Sequence, residues 1–471
     1  MREFDARGHS VAPEARRDAV PGATPGVRLP TLPRSFPHSV VRVALLERRW
    51  DVLLVCVAVY LATSVGRLHQ LFPALTPLKP VLVSATLAIV MYIADHRGPR
   101  RLAWLRAPTT TYVLFFLLWM AFSVPGALYP GRAFTLLTDD FVKTVVLYVL
   151  MVGCVRTFRD VERLAFVYFA AVVIFALVVI MRFRVAGNDW RLANLYFYDA
   201  NDFATLVVTA MPLGFYLIVS PGKLHRRVIG ALGLLPLMVA FVWSGSRGGF
   251  LALLAMSAFL LLRYSAVAVK WRTLSAAIVA AALLITASDK YWTQMSTILN
   301  GKEDYNRTDE GGRVEIWRRG ITYMLTYPVL GVGADNFSVA EGTISPLAFR
   351  QQYGIGLKWT APHNSYVQAG AELGVPGLLL LLAVIGTTFH ALRRAGRMQA
   401  GSGVKERGPP QLAQALASSL VGFVVGAFFL SLAYSEMLYA LAALAVGLIK
   451  VISLAQREQR EIGGLASPRS R

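Results

Sequence analysis

The sequence predicts an all-α polytopic membrane protein, with about twelve transmembrane helices and one large outer loop containing short helices. Three observations predict this. Apolar residues make up 55% of the chain and charged residues 16%, against roughly 45–50% and 25% in soluble domains. The apolar residues gather in runs close to the roughly 20 residues a membrane helix needs. Lys and Arg total 48 against 27 Asp and Glu, a net charge of +21, and the basic residues crowd into alternate connections between the runs. In a soluble protein such a charge would point to nucleic acid. Here it reads as cytoplasmic anchoring charge, and no nucleic-acid partner is expected.

The runs lie near 52–72, 78–94, 109–127, 139–155, 162–182, 202–220, 228–243, 248–263, 273–288, 366–390, 412–432 and 435–454. The pair 228–243 and 248–263 also reads as one long broken span, which would invert everything after it. The basic residues test the count. With the N-terminus inside, the first inner loop holds Arg97, Arg100, Arg101 and Arg106, whereas the first outer loop holds Arg67 and Lys79. The bias persists to the last inner loop, with Arg393, Arg394, Arg397, Lys405 and Arg407. It has the sign of the positive-inside rule on both sides of the doubtful pair, which supports two spans there. Cys56 and Cys154 sit inside apolar runs as small buried hydrophobes and build no disulfide framework.

Residues 1–50 are polar, basic and rich in proline, too long for the basic start of a signal peptide, and read as a disordered cytoplasmic arm. Nine spans then occupy 51–288, a large outer loop 289–365, three spans 366–454, and a basic cytoplasmic tail 455–471. The outer loop is far longer than the roughly 15 residues of a passive connector. Within it, 313–326 places Ile316, Trp317, Ile321 and Met324 at helical spacing, with Arg318 and Arg319 mostly on the other side. Tyr327-Pro328 ends that helix, Gly331-Val332-Gly333 makes a turn, and a short helix follows near 334–341. The loop is either an amphipathic lid on the membrane surface or a lid closing a polar site.

Three outer stretches could carry chemistry. Trp243-Ser244-Gly245-Ser246-Arg247-Gly248-Gly249 joins two spans. Its glycines let backbone N–H groups converge on an anion, a helix begins there, and Arg247 offers a fork suited to phosphate. The same residues also fit a tight hairpin whose arginine touches a lipid headgroup. Arg191 lies in a polar loop before Asp199-Ala200-Asn201-Asp202; it is a second anion ligand or an interfacial arginine. Those carboxylates favour helix capping over a divalent cation, and no metal site is expected. His363, in Thr360-Ala361-Pro362-His363-Asn364-Ser365-Tyr366, stands at the outer start of a span. It reads as a capping residue or, kept neutral by a helix N-terminus and nearby arginines, as a general base. Glu372 lies within that span, where a carboxylate is a functional candidate able to pair with an arginine or orient His363.

Ser246-Arg247-Gly248, Arg313-Val314-Glu315-Ile316-Trp317, Pro328 to Phe337, Pro362-His363-Asn364-Ser365-Tyr366 and Glu372-Leu373-Gly374 together resemble the core of the O-antigen ligase and O-antigen polymerase superfamily. The likeness is densest over 188–380. It implies a polytopic inner-membrane glycosyltransferase acting on the periplasmic side without a cofactor. The donor would be a glycan on undecaprenyl diphosphate, and the acceptor the lipid A core or a growing polysaccharide. By the same resemblance Arg247 and Arg191 match diphosphate-binding arginines and His363 the catalytic histidine. Arg313 matches a motif arginine grouped with the substrate-binding side, and Glu372 is kept beside His363 as a catalytic candidate. A polymerase of the same superfamily is the near alternative. A polysaccharide or lipid transporter is the alternative from another class, and it would want charges near the bilayer midplane.

Overall fold

The computed structural model describes residues 50–94, 106–182, 190–192, 199–220, 222–265, 267–300, 311–348, 360–397 and 408–466. Among these residues every regular element is helical. The expected N-terminal arm, save Trp50, and most of the last inner loop fall outside them.

The chain begins with α1 (Val52–Val65), whose N-cap Asp51 accepts the Leu54 N–H. Helices α2 (Pro80–Ala94), α3 (Pro108–Ser123) and α4 (Pro130–Thr135) each open on proline, which is preset for a helix's first turn and lacks an N–H that would go unbonded there. A π-helical turn, Leu136–Phe141, carries α4 into α5 (Val142–Cys154). There follow α6 (Phe158–Arg182), α7 (Ala200–Val219), α8 (Leu224–Ser244), α9 (Arg247–Arg263), α10 (Val269–Thr286), α11 (Asp289–Ser296), α12 (Arg313–Thr326), α13 (Phe337–Thr343), α14 (Ser365–Arg397), α15 (Gly408–Ala427) and α16 (Glu436–Ala466).

Each expected span coincides with a helix, but among the described residues nine helices are long and apolar enough to cross a membrane. The others, α1, α5 and α9, have 14, 13 and 17 residues. The doubtful pair is resolved as two helices. Gly245, at φ 56, ends α8, and the Ser246 side chain caps α9 by accepting the Gly249 N–H. Both helices pack on α7, which also touches α6 and α15 and is buried from Phe203 to Leu217.

Three details refine the expectations. The span expected at 366–390 is kinked: Gly374 sits at φ 69, a left-handed conformation that glycine adopts without steric cost. The last helix runs past 455 to Ala466, into the stretch read as a tail. In α12 the buried face is Ile316, Gly320 and Tyr323, while Ile321 is 46% exposed. Arg319 turns inward instead, because the buried Glu341 carboxylate takes it in an ion pair at 2.6 Å. The Tyr323 hydroxyl donates to the same carboxylate at 2.8 Å; burial, and then that neighbouring charge, push its phenol up. Ile316, Tyr323, Val332, Phe337, Ala340 and Ala371 form a small apolar core that fastens α12 and α13 onto α14.

Candidate functional site

Helix α11 and the first residues of α7, α9 and α12, with Trp190 and Arg191, line a cleft of about 480 Å³. Its lining includes Arg191, Arg247, Arg313 and Lys290, four cationic side chains from four separate stretches of the chain. Local chemistry positions each one. Arg247 is the first residue of α9, directly after the Ser246 cap, so the positive end of the helix dipole meets the same space. Its guanidinium donates to the Thr297 hydroxyl at 2.9 Å, just past the end of α11. Arg191 donates to the Ser244 carbonyl at 3.1 Å and to Asn201 Oδ1 at 3.5 Å, bridging the end of α8 to the start of α7. A side chain at Gly245 would strike the neighbouring Trp190 ring.

One detail of the turn differs from expectation. The Gly245, Ser246 and Gly249 amides bond within the turn, to the Val242 carbonyl and the Ser244 and Ser246 hydroxyls. Three of the turn's amides are therefore spent within it, and the start of α9 brings a helix end and the Arg247 guanidinium to the cleft. Asp199 is a cap, as its spacing suggested: its Oδ1 accepts the Asn201 and Asp202 amides, both at 2.7 Å. Among the described residues no three His, Cys, Asp or Glu side chains gather as a metal would require.

Lys290, Thr293, Gln294 and Thr297 were not singled out from the sequence, yet they line the cleft. Their spacing is the helical i, i+3, i+4, i+7 pattern, which marks one face of α11. The Gln294 side-chain amide donates to the Gly245 carbonyl at 2.7 Å and ties that face to the α8–α9 turn.

His363 does not line the cleft but stands one layer away. Trp317, one turn beyond Arg313 on α12, donates its indole N–H to the Pro362 carbonyl at 2.9 Å. Its ring packs on Phe428 at 5.3 Å, Phe428 packs on Phe429 at 5.2 Å, and Phe429 covers Gly248. The cap of α14 is not the histidine. Asn364 Oδ1 accepts the Tyr366 and Val367 amides at 2.9 and 3.0 Å. His363 itself holds φ 47, an uncommon conformation for a residue with a side chain. Its backbone N–H donates to the Ser431 hydroxyl at 2.9 Å.

Glu372 is placed differently from expectation. It is 2% exposed and accepts from the Tyr434 hydroxyl at 2.7 Å and the Phe337 amide at 3.2 Å; it pairs with neither an arginine nor His363. It belongs to a knot at the α14 kink. There the Val332 and Gly333 amides donate to the Ala371 and Glu372 carbonyls, both at 2.9 Å, and the Trp119 indole donates to the Leu373 carbonyl. Arg132 pairs with Asp335, and Asn336 Oδ1 accepts the Tyr129 amide. The outside donors satisfy carbonyls that the kink removes from the helical ladder.

A protein-family model described as O-antigen ligase matches residues 231–382. The match takes in Arg247, Arg313, His363 and Glu372 and ends before the last two helices. No curated protein matches the chain.

Proposed function

We propose that this chain, whose residues 231–382 match the O-antigen ligase family, transfers a glycan from a polyprenyl diphosphate to an acceptor hydroxyl at the periplasmic face of the bacterial inner membrane. The observation that carries the reading is the convergence of Arg191, Arg247, Arg313 and Lys290 on one cleft. A sugar diphosphate is already activated, and the demand on the enzyme is to stabilise charge as the diphosphate leaves. Guanidinium forks and the α9 dipole suit that demand, because they are already oriented before the bond breaks.

The acceptor oxygen attacks the anomeric carbon from the side opposite the diphosphate. The new C–O bond forms as the bond to the diphosphate oxygen breaks, the electron pair leaves with the diphosphate, and the configuration inverts. His363 takes the hydroxyl proton. Its segment hangs from Trp317, on the helix that also carries Arg313, so base and diphosphate site are linked through one rigid element. Glu372 acts at a distance, by holding the kinked start of α14 to the 328–337 loop. With both termini inside the cell, the cleft lies on the outer side.

The family description names a ligase, and we take the lipid A core as its acceptor; a polymerase would use the same donor cleft and a growing polysaccharide. The test is reconstitution of the purified chain with undecaprenyl-diphosphate-linked glycan and each acceptor. Covalent transfer that is lost in Arg247→Ala supports the reading. Movement of the donor across the bilayer without bond formation refutes it.

A further inference from the structure

At the other end of the helices that form the cleft lies a second, larger cavity of about 790 Å³, walled by α7, α8, α9 and α10. Its volume is that of a ligand pocket, and its wall is mostly apolar, with Met211, Phe215, Leu235, Met256 and Ile278 on four helices. Helix α10 leaves the gap because it packs loosely: only Arg272 and Leu283 of its residues are buried. One end of the lining is basic. Arg227, in the first turn of α8, and Trp271, in the first turn of α10, both line the cavity, and Lys270 stands 5.8 Å over the Trp271 ring. Tryptophan and basic residues at the end of apolar helices mark the headgroup level of a bilayer.

A second observation points to a ligand. Gln411, at the start of α15, lines the cavity and is 4% exposed, yet its Oε1 has no hydrogen-bond partner. A buried amide oxygen left without a donor destabilises the fold, and a headgroup hydroxyl or ammonium at the basic end supplies that donor. Apolar wall, basic end and orphaned amide together match one chemistry, an acyl chain below a phosphate below a hydrogen-bonding headgroup.

We propose that this cavity holds a resident anionic glycerophospholipid of the leaflet opposite the cleft, one acyl chain between α8, α9 and α10, its phosphate at Arg227 and its headgroup at Gln411. The occupant is not the glycan donor. Arg227 lies about 25 Å along α8 from Ser244 at the cleft, at 1.5 Å per residue, so a diphosphate in the cleft cannot reach this end. The lipid fills the space under α10 and fixes the helix that leads directly into α11, the cleft's outer wall.

The test is native mass spectrometry of the purified full chain titrated with phosphatidylglycerol and, separately, phosphatidylcholine. The wild type should retain phosphatidylglycerol preferentially. Arg227→Ala, an exposed position whose loss spares the core, should weaken that retention about fivefold, the effect of one basic residue at an anionic headgroup. Gln411→Leu should weaken it further in the double variant, and Ala276→Trp, which fills the cavity from α10, should remove it. Equal retention of both lipids by the wild type, or undiminished phosphatidylglycerol binding in Arg227→Ala, would overturn the site. Recovery of a polyprenyl lipid in place of phospholipid, displaced by Ala276→Trp, would overturn the choice of occupant. None of these readouts depends on glycan transfer.

Discussion

The cleft around Arg247 and the knot around Glu372 are joined through α12 and α14, and both draw charged residues from distant parts of the chain. In the knot, polar groups close on one another. Glu372 takes Tyr434 and Phe337, Arg132 takes Asp335, and the Val332 and Gly333 amides take the carbonyls freed at the kink. In the cleft, four cations face a common space of about 480 Å³. The contrast separates two uses of charge. In the knot charged groups close on one another and hold a shape; in the cleft they are held by neighbours such as Thr297 and Asn201 and also line a cavity. Variants in the cleft should therefore change turnover at constant stability, and variants in the knot should change stability first.

The largest expected effect is at His363. General-base help contributes about 10²–10⁴-fold, so His363→Ala should lower transfer by that factor while the thermal melting point stays near wild type. A variant that transfers at the normal rate would remove the base assignment. Next is Arg247→Lys, which keeps the charge and loses the fork. We expect a loss of about 10²-fold in kcat, comparable to deleting one preoriented donor, measured with saturating lipid-linked donor. A normal kcat would put the diphosphate elsewhere.

The knot should respond in the other currency. At Gly331, φ is 66 and a Cβ would strike the Ala371 and Glu372 carbonyls. Gly331→Ala should lower stability by about 2 kcal/mol or more, strain and clash together. Glu372→Gln leaves a buried pair imperfectly satisfied and should cost about 1–3 kcal/mol, with transfer per folded molecule largely kept. A melting point unchanged in Glu372→Gln, together with lost transfer, would move Glu372 from the knot to the chemistry. The smallest effect is at Thr297→Val. It deletes one hydrogen bond to Arg247 and should raise the donor KM by roughly three- to tenfold, the worth of one such bond.

Much of the cleft was legible in the sequence. Arg247 stands in a glycine turn between two apolar runs, a local signal that survives without coordinates, whereas Arg313 is singled out only by its match to a family motif. What stays hidden in the sequence is long-range. Nothing near Glu372 shows that Tyr434 and the Phe337 amide donate to it, so its place in the knot is not legible from the chain alone. Arg319 read as solvent-facing because Glu341, which draws it inward, lies beyond the end of its own helix. The polar face of α11 is present as the i, i+3, i+4, i+7 spacing of Lys290, Thr293, Gln294 and Thr297, but spacing does not show that this face meets the α8–α9 turn. The cap of α14 was a choice between neighbours, His363 and Asn364, that only backbone geometry decides.

Whether the cationic cleft receives the donor's diphosphate is decided by a structure of the full chain with a polyprenyl diphosphate bound. Phosphate oxygens are expected within hydrogen-bonding distance of Arg191, Arg247 and Arg313, beside the first turn of α9. A diphosphate bound elsewhere, with this cleft empty, would contradict that reading.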